Sequence, residues 1–136
     1  MPSGDEFIVP SNLYIIGTMN TADKSIALLD IALRRRFEFE SMYPLDYIPG
    51  KEIYDVAILK KINESIIKKK GHDFQIGHAY FMDNSQSLTD RMNKRVIPLL
   101  MEYFMNDEKE VKGILFNAGL QVEENSWPIK ITGKRA

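Results

Sequence analysis

Hydrophobic and polar positions divide the 136-residue chain into two regions of different rhythm. In the first, "LYIIG" (13–17) is a continuous apolar run between the loop-like "VPSN" and the polar "TMNTAD". A short run that is apolar on both faces predicts a strand buried in a parallel sheet. "FEFE" (37–40) offers a second strand, and two such strands alone make a poor sheet. The expectation is therefore an α/β remnant, about two parallel strands belonging to a larger layer. Between them, Ile26, Leu29 and Leu33 recur at i, i+3 and i+7. That spacing predicts a helix capped by Asp23 or Ser25, with Arg34, Arg35 and Arg36 in its last turn.

After "YPLDYIPG", where two prolines and a glycine mark a boundary, the rhythm becomes helical. Val56, Leu59, Ile62 and Ile66 line one face of a helix within 52–70, and Gly71 suits the position just past its end. "FQIGHAYFM" (74–82) is expected to be extended or looped. "SLTDRMNKRVIPLLMEYFMND" reads as helical, with Pro98 starting a second helix or kinking one. "EKEVKGILFNAGL" supplies a further short helix, and "WPIKITGKRA" a tail or short terminal strand.

Composition narrows the function classes. A net charge of −1 gives no global attraction to nucleic acid or anionic membrane, so any basic function is local. With no cysteine there are no disulfides, thiolate zinc sites or thiol nucleophiles, in keeping with a reducing cytosol. No apolar run approaches the roughly 20 residues that span a bilayer, and "MPSGDEF" lacks the pattern of a signal peptide. A cytoplasmic protein without membrane contact is expected.

Two groups of residues invite a chemical reading. Asn20 follows the predicted strand directly, at the carboxyl end where ligands bind in open α/β sheets. Its amide can orient a water against a phosphate, or simply build the turn with Thr21 and Asp23. The three arginines exceed what a helix dipole requires. Successive helical residues point about 100° apart, so they cannot share one salt bridge. A guanidinium facing a neighbouring molecule can neutralise charge on a transferred phosphoryl group, worth about 10³ to 10⁵ in rate. Binding a nucleic-acid backbone is the competing use. His72 and His78 stand apart from any metal-ligand spacing, and no metal site is expected. No G-x-x-x-x-G-K-[ST] loop or apolar strand ending in paired acids occurs in the sequence.

"VPSNLYIIGTMNTADKSIALLDIALRRRFEF" resembles the second half of the nucleotide-binding module of McrB-type AAA+ proteins, the GTP-hydrolysing subunits of restriction systems that cut methylcytosine-containing DNA. "FQIGHAYFM" and "VIPLLMEYF" are similar to two later segments of the same family. The resemblance implies a P-loop NTPase fold in three parts: 1–45 from the α/β core, 46–122 a mainly α-helical lid, and 123–136 a tail. Asn20 would be sensor 1, contacting the γ-phosphate or its attacking water. Asp23 would lie in the signature loop, where the family usually has arginine next and this chain has Lys24. Arg35 and Arg36 would reach the nucleotide of the adjacent subunit, with Arg34 a third candidate. His78 would approach the nucleotide from the lid.

The implied cofactor is GTP or ATP with Mg²⁺. The implied partners are neighbouring copies in a ring, an endonuclease or activator subunit of McrC type and, indirectly, DNA. In such a module the phosphate loop and acidic strand precede residue 1. The expectation for this chain by itself is therefore neither bound nucleotide nor hydrolysis. A dynein-related or MoxR-like ATPase and a non-catalytic helical interaction module are the alternative readings.

Overall fold

The computed structural model describes residues 4, 6–22 and 31–136. Its core is built by the second half of the chain. α1 (Ile31–Arg34) is a single exposed turn. α2 (Val56–Lys70) is the longest helix and buries Ile58, Leu59, Ile62, Asn63 and Ile66. Its apolar stripe is the one expected, except that Val56 is half-buried and Ile58 takes the inner place. Gly71 closes the helix at φ 102°, a backbone conformation suited to glycine, and its N–H reaches the carbonyls of Ile66 and Ile67.

Upstream, the "IPGK" turn fixes the entry to α2. The Lys51 N–H donates to the Ile48 carbonyl at 3.1 Å across Pro49 and Gly50, the latter at φ 72°. Proline followed by a positive-φ glycine is the arrangement that a type II turn demands.

Downstream of α2, two 3₁₀ turns (His72–Phe74 and His78–Phe81) flank Ile76, which is fully buried. α3 (Leu88–Arg91) begins at Ser87, whose Oγ accepts from the Asp90 N–H. It runs into a π turn, Met92–Val96, where the Ile97 N–H bonds back to the Met92 carbonyl. α4 (Ile97–Tyr103) follows, with Pro98 in its first turn, so the proline starts a helix. α5 (Glu108–Asn117) is capped by Asp107 and carries Glu108 and Glu110 at its positive end, where the dipole favours acids.

β1 (Leu120–Val122) and β2 (Ile131–Lys134) form an antiparallel pair. They are the only named strands among the described residues. The expected parallel remnant is therefore corrected. Residues 13–17 and 37–40 form no strand, and Tyr14 and Ile16 are 90% and 95% exposed. A strand forms where a neighbour takes its N–H and C=O groups, and no described residue beyond Pro10 exchanges a backbone hydrogen bond with "LYIIG". The segment "WPIKITGKRA" does supply a terminal strand, and Ile129 and Ile131 enter the core.

That core joins α2, the π turn, α4, α5 and the β pair. Ile62, Ile66, Ile76, Met92, Val96, Leu100, Val111, Ile114, Leu115 and Leu120 are all fully buried. No helix among the described residues is long and apolar enough to cross a membrane.

Candidate functional site

Of the residues singled out on the sequence, those described lie on exposed parts of the N-terminal third and at its junction with the helical part. Asn20 is exposed, and its Oδ1 accepts from the Ala22 N–H at 3.1 Å, a local turn of the kind Asn favours. Asp23 and Lys24 lie outside the described residues. Arg34 ends α1, and the Arg35 and Arg36 N–H groups continue the turn to the Ile31 and Leu33 carbonyls. All three arginine side chains are exposed, and none makes an ion pair with a described residue. Asn20 and the arginines are joined by no hydrogen bond among the described residues.

His78 is placed differently. It opens the second 3₁₀ turn, and its Nδ1 accepts the Leu45 N–H at 3.0 Å across the junction. Beside it, Lys60 on α2 pairs with Asp46 at 3.0 Å. That hydrogen bond and charge hold the Asp46 carboxyl below its ordinary range. Pro44 and Leu45 face Leu59, Ile67 and Gln75 across an open groove of about 300 Å³. No group of three or more His, Cys, Asp or Glu among the described residues is arranged to hold a metal ion.

A polar centre inside the helical part escaped the sequence reading. Asp55, just before α2 at φ 53°, leaves the first helical N–H groups without a side-chain cap. Its carboxylate goes instead to Arg91 at 2.9 Å and Lys134 at 2.8 Å. The Arg91 side chain is 3% exposed and stands 5.7 Å from the Phe81 ring centre. One carboxylate thus ties α2, α3 and β2 together. Nothing local in the sequence marks this set, because its members come from distant elements.

Two asparagines act similarly on the backbone. Asn63 brackets Ile76, and Asn93 brackets Ile131, each giving and receiving one hydrogen bond. Asn63 did carry a signal, since it is a polar residue set within the apolar stripe of α2.

Comparison with known proteins agrees with this layout. Residues 56–112, from the start of α2 into α5, match the family model of the McrB α-helical lid domain. The chain is also similar to the type IV methyl-directed restriction enzyme EcoKMcrB subunit of Escherichia coli K12, at 36% identity over 127 residues. That alignment covers 76% of this chain and 28% of the relative, so the chain spans little more than a quarter of the relative's length. The elements from α2 to α5 are those of a lid, and this chain is of McrB type, with an McrB α-helical lid at residues 56–112.

Proposed function

We propose that this chain contributes the lid, and the arginine-bearing segment before it, to an AAA+ motor subunit that hydrolyses GTP in methyl-directed DNA restriction. The observation that carries this reading is the McrB lid at 56–112, preceded by three exposed arginines without ionic partners among the described residues. The likeness to the EcoKMcrB subunit supports the restriction role. In this reading the protein works in the cytoplasm, in a ring of like subunits with a McrC-type partner.

Asn20 then acts as sensor 1, orienting the attacking water through its amide, and Asp23 belongs to the loop beside it. Arg35 and Arg36 neutralise charge developing on the γ-phosphate bound by the adjacent subunit, with Arg34 alongside. His78 contributes from the lid side. The sequence holds no phosphate-binding loop, and the described residues include no cluster suited to Mg²⁺. In this reading the Mg²⁺–nucleotide is held by other parts of the motor, and the residues named here act on it only from outside its binding site.

The test is a complete subunit containing this segment, with Arg35→Ala and Arg36→Ala made separately and together. Nucleotide binding is expected to persist while turnover falls by about 10³-fold or more for the finger residue. Unchanged turnover in the double variant overturns the finger assignment.

A further inference from the structure

Residues 43–46 lie along the helical part without entering its core, and three contacts of different kinds fasten them there. The Tyr43 ring sits 5.6 Å from the His72 ring at a 53° tilt. The Leu45 N–H donates to His78 Nδ1 at 3.0 Å. The Asp46 carboxylate pairs with Lys60 at 3.0 Å. Under this line of contacts runs the open groove between Pro44 and Leu45 on one side and Leu59 and Ile67 on the other. The segment is held by one ring contact and two polar contacts, and Tyr43 and Leu45 stay about half exposed rather than being buried in the core.

We propose that residues 43–46 are a strap coupling the arginine-bearing segment to the lid, with His78 as the positioning residue that holds it. Of the three fasteners, the surface ion pair is the weakest candidate, since both its side chains are more than half exposed. The tilted ring contact engages side chains only and no backbone group. The bond to His78 fixes a particular backbone group, and it dictates the state of the ring. A backbone N–H can only donate, so Nδ1 must be an unprotonated acceptor and the proton of the neutral imidazole sits on Nε2. Arg36 lies seven residues before Tyr43, so a displacement of the lid is passed to the arginines through a short tether. The consequence for turnover rests on the motor reading given above, whereas the strap itself does not.

The experiment uses the 136-residue chain and needs no nucleotide. At about pH 8, where histidine is mostly neutral, ring ¹⁵N shifts of His78 are expected to show a bare Nδ1 and a protonated Nε2. Amide exchange at Leu45 is expected to be slowed, and to quicken about two- to tenfold in His78→Ala. In His78→Asn the side-chain oxygen stands close to where Nδ1 was and restores the protection. Ile62 and Ile66 on α2 report whether the lid itself is intact.

A protonated Nδ1 in the unsubstituted chain overturns the proposal. So does Leu45 protection that is unaltered in His78→Ala with α2 unperturbed. If His78→Ala does not fold, the ring shifts of the unsubstituted chain decide. A motor subunit that keeps its turnover without Arg35 and Arg36 would refute the finger reading while leaving these measurements untouched.

Discussion

Asn63 holds Ile76 by both of its backbone groups: Nδ2 donates to the carbonyl at 3.0 Å, and Oδ1 accepts the N–H at 2.7 Å. Ile76 is fully buried between two 3₁₀ turns, where no helix or strand supplies partners for its peptide groups. The side chain of α2 thus does for one residue what a neighbouring strand does for a sheet. Asn63→Ala leaves two buried groups unpaired, each costing about 1–3 kcal/mol. Urea unfolding followed by helical circular dichroism is expected to show a loss of about 2–6 kcal/mol for the two together. A cost under about 0.5 kcal/mol would mean that water replaces the amide.

The Asp55–Arg91 pair makes a sharper case, because one partner is almost wholly withdrawn from water. Asp55→Ala strands the Arg91 guanidinium and is expected to destabilise the chain by about 3–5 kcal/mol. Adding Arg91→Met removes the stranded charge and should recover much of the loss. Lys134→Ala, at a side chain 62% exposed, is expected to cost less than about 1 kcal/mol. A double-mutant cycle read by chemical denaturation separates these contributions.

Acid and alkaline limits follow from different groups. Hydrogen bonds from Ser85 hold Asp83 below the ordinary carboxyl range, and Lys94 with Ser87 does the same for Asp90. A depressed carboxyl contributes stability above its unfolded pKa of about 4, and loses it as pH falls through the lower folded value. Desolvation raises the Tyr103 phenol. Its contribution is therefore present below about pH 10 and lost as pH rises through the folded value. Melting temperature against pH is expected to show both shoulders. Asp90→Asn should flatten the acid one, and Tyr103→Phe the alkaline one.

The exposed run from Phe7 to Ile16 predicts association rather than instability. Tyr14 and Ile16 are almost fully exposed and contribute nothing to the lid core. Ile16→Asp is expected to leave the unfolding free energy within about 0.5 kcal/mol of the original. The same change should reduce concentration-dependent self-association in sedimentation velocity. Unchanged association would place the sticky surface elsewhere.

How much of this was legible in the sequence depended on the range of the forces involved. The stripe of α2, its end at Gly71 and the helix after Asp107 follow from local spacing and caps, and the structure has them. "LYIIG" has the composition of a buried strand, but a strand is a property of two segments, and the second is not among those described. The contact between His78 and Leu45 was equally out of reach. Nothing in "QIGHAYF" says that a backbone group 33 positions earlier will point at the ring. The arginines were conspicuous on the sequence and remain exposed, which suits a role outside the chain and leaves its fold indifferent to them.

The π turn at Met92–Val96 works as a phase shifter. Inward-facing residues pass from the pair Arg91 and Met92 to Val96 and Ile97, a step of five, and then to Leu100 and Met101, a step of four. The extra residue in the longer step lets Asn93 turn toward β2 without pulling Met92 or Val96 out of the core. Shortening the turn by one residue would bring the polar hook and the apolar stripe into competition for a single face. The terminal hairpin would then be released even though every apolar residue of the chain had been kept.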